Sequence, residues 1–304
     1  MTILVVGSVA LDTVETPFGT VTEALGGSAT YFSIAASTFT KVNLVGVVGD
    51  DFPSQYVERM QRAGVDLAGL QIRGGKTFRW AGYYDYDLNT AHTLATELNV
   101  FSSFHPVLPE GYEGSEFVFL ANIDPDLQHE VLQQVTGAKL KVMDTMNFWI
   151  DGKRDALTRT MSAVDVVLMN EAEVRQYAGT YNLSLAAHAI LALGTRILIV
   201  KKGEYGCVMF SDSGYFVAPA YPLETVKDPT GAGDSFAGGF MGYLAHTCDV
   251  SSASIRRAIV YGSVVASFAV EDFSVDRLTS LTPDEIAARY REFQDFTYFE
   301  HSTR

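Results

Sequence analysis

The segment Asp228-Pro229-Thr230-Gly231-Ala232-Gly233-Asp234-Ser235-Phe236 concentrates residue types that can handle an anion. Two glycines one residue apart let backbone N–H groups point into a single concavity, with no β-carbon in the way. The small residues that follow, Ala237-Gly238-Gly239-Phe240-Met241, start a helix. Those N–H groups therefore sit at a helix N-terminus, where the dipole favours negative charge. Such a cradle can hold a phosphoryl group while charge redistributes during its transfer. Asp234 stands where an attacking hydroxyl would meet that group. A helix N-terminus favours its ionised form, so it can accept a proton at pH 7. It is a weak base, which phosphoryl transfer tolerates because it depends mostly on positioning. A bare Gly-x-Gly-Asp, however, is more often a turn followed by a helix cap.

Other residues sit where strand ends would face a crevice. Asp12 follows the first strand and Gly7, a position open to ligand hydroxyls in an α/β sheet and equally open to turn formation. Gly26-Gly27 opens the first long helix and presents free N–H groups, or simply caps it. Asn122 and Asp124 follow one apolar run, and Asp144 and Asn147 follow another, as substrate contacts or loop caps. Asn170-Glu171-Ala172-Glu173 has the form of an N-cap. Lys201-Lys202-Gly203-Glu204-Tyr205-Gly206 suits a tight β-hairpin with two solvated lysines.

The elements that must position these residues alternate. Ile3–Gly7, Val42–Val48, Phe117–Ala121, Leu140–Asp144, Val164–Met169 and Arg196–Val200 are short β-branched or apolar runs, as in buried parallel strands. Helical patterns separate them at Ser28–Phe39, Pro53–Ala63, Asp126–Val135, Lys153–Met161 and Leu185–Leu193. Three more helices, Phe236–Ala245, Ser254–Val270 and Pro283–Phe293, fill the last third. This order implies an α/β fold with a parallel sheet covered on both faces. Val14–Leu25 and the aromatic stretch Thr77–Leu98 do not fit the alternation. They predict a small separate β-sheet, with Asp87-Leu88-Asn89-Thr90 as a hairpin turn.

Taken together, the Asp-x-Thr-Gly-Ala-Gly-Asp string, the Gly-Gly pair and the Asn-x-x-Glu motif resemble the ribokinase/PfkB family of ATP-dependent sugar and nucleoside kinases. Every fixed letter of the late string matches, and the resemblance runs along nearly the whole chain. It implies a ribokinase-like three-layer α/β/α domain over residues 1–304, with a mostly parallel central sheet. A β-sheet lid from about 13–25 and 77–99 would close over the acceptor and exclude water. It implies transfer of the γ-phosphoryl group of ATP to a hydroxyl of a small sugar or polyol, or alternatively of a nucleoside.

In that reading Asp234 is the base, and Gly231, Ala232 and Gly233 form the anion hole. Asp12, Gly26 and Gly27 bind the acceptor, with Asn122 and Asn147 as further contacts. Asn170 and Glu173 join the Mg²⁺–phosphate network, Glu173 through water. Lys201, Gly203 and Gly206 lie along the ATP ribose and phosphates, with Asp228 and Thr230 nearby. Gly262 leaves room for adenine or serves close helix packing. Three places depart from the family pattern. Tyr31, Phe32 and Ser33 stand where an asparagine is frequent. Lys201 and Lys202 replace small polar residues. Glu271-Asp272-Phe273-Ser274 lacks the glycine of a loop that binds a monovalent cation in many relatives, which leaves activation by K⁺ open.

Composition narrows the classes further. The 304 residues include 22 basic and 36 acidic side chains, a formal charge of −14, which argues against broad binding to nucleic acid or to an anionic membrane. With 47% apolar residues a sizeable core is available. Cys207 and Cys248 are far apart and outside any CxxC, consistent with a reducing cytoplasm. The start lacks the basic flank of a signal peptide, and Ile259–Val270 is too short for a bilayer. Val6-Gly7-Ser8-Val9-Ala10 is not a dinucleotide fingerprint, and no Walker A string occurs. A non-catalytic sensor is disfavoured because it needs no carboxylate beside the glycines. The aromatic lid sheet is expected to pair with a second copy.

Overall fold

The protein is described here by a computed structural model covering residues 1–300. Its strands are β1 (Thr2–Val6), β2 (Ala10–Thr16), β3 (Gly19–Gly26), β4 (Lys41–Gly49), β5 (Val65–Arg73), β6 (Phe78–Tyr84), β7 (Ala91–Glu97), β8 (Phe117–Leu120), β9 (Leu140–Asp144), β10 (Val166–Asn170), β11 (Ile197–Lys201), β12 (Cys207–Ser211) and β13 (Gly214–Ala218). Its helices are α1 (Ser28–Ser37), α2 (Ser54–Arg62), α3 (Pro125–Gln134), α4 (Asn147–Gly152), α5 (Arg154–Met161), α6 (Glu171–Ala178), α7 (Leu183–Leu191), α8 (Ala232–Thr247), α9 (Ser252–Ala269), α10 (Asp276–Thr279) and α11 (Pro283–Thr297).

The main sheet has nine strands in the order β13-β12-β11-β10-β9-β8-β1-β4-β5. From β11 through β5 the pairing is parallel, and β12 and β13 extend one edge antiparallel. The chain starts at β1, runs outward to β4 and β5, then returns to β8 on the other side of β1. Loops leaving the carboxyl ends of β1 and β8 diverge there and open the crevice in which α/β sheets bind ligands.

Alternation along each strand divides the core in two. Ile3, Val5, Phe117 and Phe119 face α1, α8 and α9, while Leu4, Val6, Val118 and Leu120 face Val131, Leu157, Val174 and Ile190 on the opposite helices. Helix α1 buries nine of its ten residues, so it carries no polar face. It lies between the sheet and α8, with Phe32 stacked on Phe119 at 4.1 Å.

A second sheet, β3-β2-β6-β7, stands apart from the first, as the unmatched stretches predict. Both hairpins are antiparallel, and β2 and β6 pair in parallel. Because β2 begins only three residues after β1 ends, this sheet is rooted at the crevice. Arg79 on β6 ties it to the main domain through Asp51 at 2.8 Å, and pairs within the small sheet with Glu23 on β3 at 2.8 Å. The expected strands and helices lie within four residues of those observed; the edge strands β5 and β13 and the short helices α4 and α10 have no counterpart among them. No helix among the described residues is long and apolar enough to cross a membrane.

Candidate active site

The late glycine string forms the turn into α8. Gly231 is the N-cap, with φ 74, and no side chain caps this helix. A β-carbon on Gly231 would lie 2.3 Å from the ring of Tyr31, which packs flat against it. The Ala232 N–H turns back to the Pro229 carbonyl at 3.2 Å, and the Ser235 N–H makes the first helical bond to Gly231 at 2.8 Å. The N–H groups of Gly231 and Gly233 have no partner among the described residues. The cradle's uncommitted donors are thus Gly231 and Gly233, while Ala232 holds the turn. Asp228 is buried and shapes the approach, accepting from the N–H of Thr230 at 2.9 Å and of Ser274 at 3.4 Å.

Three adjacent strand ends bring charge to this turn. Asn170, ending β10, is in register with Lys201, ending β11, and Asp144 ends β9 on the other side. Lys201 Nζ pairs with Asp144 Oδ2 at 2.5 Å, their side chains 18% and 4% exposed. The same ammonium lies 2.9 Å from where a Gly233 β-carbon would be, so it faces the cradle directly. Of Lys201, Lys202 and Lys227, Lys201 is the one whose ammonium faces the cradle. Lys202 turns to Glu171 at 3.6 Å and Lys227 to Asp272 at 3.0 Å.

Asn170 and Glu173 form a reciprocal cap on α6. Glu173 accepts from the Asn170 N–H and Nδ2 at 2.7 Å each, and returns its own N–H to Asn170 Oδ1 at 2.8 Å. Burial pushes the Glu173 carboxyl up to about 7; Lys201 opposes the rise and Asp144 adds to it. Asp234 departs from its expected ionisation. Loss of hydration and the nearby charge of Asp144 push its carboxyl up to about 8, against the pull of Lys201. Burial, reinforced by the nearby Asp144 and Asp12 charges, outweighs the helix N-terminus. Asp144, Glu173 and Asp234 outnumber the one ammonium among them, but among the described residues no three acidic, His or Cys side chains group closely enough to grip a metal ion directly, so a divalent cation here would be held through its water and the phosphates.

Asp12 lies within β2 rather than in a loop after β1. Its carboxyl occupies the space a Gly26 side chain would need, with Oδ2 1.9 Å from the β-carbon position, and accepts from the Gly27 N–H. Burial, partly offset by that N–H, pushes it up to about 7. Ser28 then links to the Asn122 carbonyl at 3.3 Å, and Asn122 Oδ1 holds the Trp149 indole N–H at 3.0 Å. Ser28, Asn122 and Trp149 are thereby joined in one chain of hydrogen bonds next to Gly27. From the small sheet, the Tyr84 hydroxyl accepts from Thr230 Oγ1 at 3.3 Å.

The model of the pfkB family of carbohydrate kinases matches residues 2–280. The chain belongs to that family. It is 30% identical over 245 residues to a cytidine kinase of Thermococcus kodakarensis, covering 79% of this chain and 87% of that protein. A nucleoside kinase of Methanothermobacter thermautotrophicus is 26% identical over 252 residues, 81% of this chain and 78% of its own. The crystal structure of a Methanocaldococcus jannaschii nucleoside kinase, an archaeal member of the ribokinase family, superposes with a TM-score of 0.77 at 21% identity, over 96% and 98% of the two chains. As a pfkB family member the protein is a phosphotransferase with an alcohol acceptor, built on the ribokinase-like fold.

The remaining expected residues of this pfkB kinase have local roles in the structure. Asn147 is exposed at the start of α4, where its Oδ1 accepts from the next N–H. Gly262 is buried in the α8–α9 contact, with a β-carbon position 2.8 Å from the Phe236 carbonyl, so helix packing accounts for it. Gly203 and Gly206 bracket a short exposed turn after β11. Of two residues at the centre, the sequence offers Asp144 only as a substrate contact or loop cap and gives Tyr31 no role. Asp144 was visible only as one of several strand-end polar groups, although its place on β9 brings it to Lys201 once the strand order is known. Tyr31 was visible only as a departure from a family asparagine.

Proposed function

We propose that this protein transfers the γ-phosphoryl group of ATP to a ribose hydroxyl of a nucleoside, with Mg²⁺ neutralising the phosphates. The observation that carries this reading is the Asp234 carboxyl in the first turn of α8, beside two uncommitted amides and the Lys201 ammonium. An acceptor hydroxyl oriented by Asp12 attacks the γ-phosphorus. The new O–P bond forms, the bond to the β–γ bridging oxygen breaks, ADP departs, and the hydroxyl proton passes to Asp234. Gly231 N–H, Gly233 N–H and Lys201 stabilise the charge spread over the transferring group. Asn170 and Glu173 would hold the hydrated Mg²⁺ through water, since both Glu173 oxygens already accept from Asn170.

The sequence alone leans towards a sugar or polyol; two relatives aligned over about four-fifths of the chain act on nucleosides by name, and shift the reading to that class. Trp149, held by Asn122, and Phe148, 61% exposed beside it, offer flat apolar surface on which a base can rest. A second copy would pair on the small sheet, where Tyr86 and Leu94 face solvent, and sedimentation tests that. The deciding experiment is a coupled ADP-release screen over nucleosides, sugars and polyols. Turnover with a nucleoside is expected, and Asp234→Asn should lose about 10²–10⁴ of it while still binding ATP. Turnover confined to sugars or polyols refutes the acceptor class, and an unimpaired Asp234→Asn refutes the base.

A further inference from the structure

The turn between β6 and β7 has no part in the chemistry above, yet its hairpin meets both the turn after β11 and the turn that opens α8. Asn89 at its tip donates from Nδ2 to Glu204 Oε1 at 3.2 Å. A β-carbon on Gly203 would come within 2.4 Å of Asn89 Oδ1, so the carboxamide lies directly on that glycine, whose φ is 55. Asn89 is held ready by its own turn. Its N–H donates to Asp87 Oδ1 at 3.2 Å, and its Nδ2 also donates to the Asp87 carbonyl at 2.8 Å. On the same hairpin, Tyr84 meets Thr230. One hairpin thus touches both the turn after β11 and the turn that opens α8. Its strand β6 pairs directly with β2, which carries Asp12.

We propose that Asn89 is a positioning residue for the nucleotide: docked on Gly203 and Glu204, it ties the 203–206 turn to the sheet that holds the acceptor, so each ligand strengthens binding of the other. This rests on the kinase reading, in which the 203–206 turn borders ATP. The turn is exposed and is held at its neck by the Lys202 N–H to Gly206 (2.7 Å) and the Gly206 N–H to Gly203 (3.0 Å). Exposed segments with few buried contacts open at low free energy, so one added contact matters. A ligand that settles the small sheet keeps Asn89 in place and lowers the ordering cost met by the second ligand. Linkage makes the effect reciprocal. Asparagine suits the place, because aspartate would set a second negative charge beside Glu204.

Calorimetric titration with Mg²⁺ and AMP-PCP, with and without saturating cytidine, reads the coupling. The unmodified protein should bind AMP-PCP about fivefold tighter with cytidine present. In Asn89→Ala the ratio should approach one, and adding Glu204→Ala should change it no further. A ratio undiminished in Asn89→Ala overturns the proposal. Amide exchange on the protein without ligands gives a readout that needs no acceptor. Asn89→Ala should speed exchange at Tyr205 and Gly206 and leave the β10 and β11 amides alone; unchanged exchange at 205 and 206 also overturns it. Failure of the unmodified protein to release ADP with any acceptor instead refutes the kinase reading, and is told apart because amide exchange requires no turnover.

Discussion

Adding one methyl group at position 231 probes the cradle at its narrowest point. Gly231 has φ 74, and its β-carbon position lies 2.3–2.5 Å from three atoms of the Tyr31 ring. The left-handed backbone costs alanine about 1 kcal/mol. The ring is 2% exposed on a fully packed helix and has nowhere to go, so the overlap adds about 1–3 kcal/mol. Gly231→Ala should therefore lose about 2–4 kcal/mol, divided between global stability and displacement of the turn. Any displacement takes the Gly231 and Gly233 amides away from the phosphoryl group, and one such donor is worth about 10²–10³ in kcat. Melting and ADP release measured in parallel separate the two shares. Tyr31→Ala in the Gly231→Ala background removes the clash, so the double variant should be less destabilised than the sum of the singles. A Gly231→Ala protein with unchanged melting and kcat within about threefold of the parent would show that these amides do not meet the transferring group.

Four further outcomes are expected. Asp12, Glu173 and Asp234 hold protons up to about 7, 7 and 8 in the folded protein, while their unfolded counterparts release them near 3.8 to 4.5. The folded state binds more protons across that interval, so ligand-free stability should fall as pH rises from 5.5 to 8.5, and a melting midpoint that climbs instead contradicts the assignment. By the same titration kcat/KM should rise with pH and level off above about 8 as Asp234 becomes a competent base; a flat profile from pH 6 to 9 would exclude it. Lys201→Met strands the nearly buried Asp144 carboxylate and should cost about 3–5 kcal/mol, much of it recovered by adding Asp144→Asn; equal loss in single and double variants would deny the pairing. Asp12→Asn should raise the acceptor KM by about 10–100-fold with little change in ATP affinity, and a matched rise in both would place Asp12 outside the acceptor subsite.

What was legible in the sequence is what is local. The Asp228–Asp234 string is a continuous turn whose glycines, proline and threonine fix their own geometry, so its chemistry could be read from spacing. Strands such as β1 and β8 are covered on both faces and show unbroken apolar runs. The edge strand β5 is half-exposed, Val65-Asp66-Leu67-Ala68-Gly69-Leu70, and offers no such run. What was not legible depends on strand order. Lys201 meets Asp144 because β10 lies between β9 and β11, across 57 residues of sequence. Asn89 meets Glu204 across 115. The ionisation of Asp234 was misjudged for the same reason. Its helix N-terminus is visible locally, whereas the burial that raises its carboxyl most, and the Asp144 and Asp12 charges that add to it, arrive through the fold.

The central claim is that Gly231 and Gly233 hold the transferring phosphoryl group while Asp234 aims the attacking hydroxyl. The most direct measurement is a crystal structure with a non-hydrolysable ATP analogue, Mg²⁺ and an acceptor identified by turnover. The terminal phosphate oxygens should lie within hydrogen-bond distance of both glycine amides, with the acceptor hydroxyl on Asp234 and in line with the phosphorus. A terminal phosphate bound elsewhere in the crevice, with those two amides facing only solvent, would contradict the account.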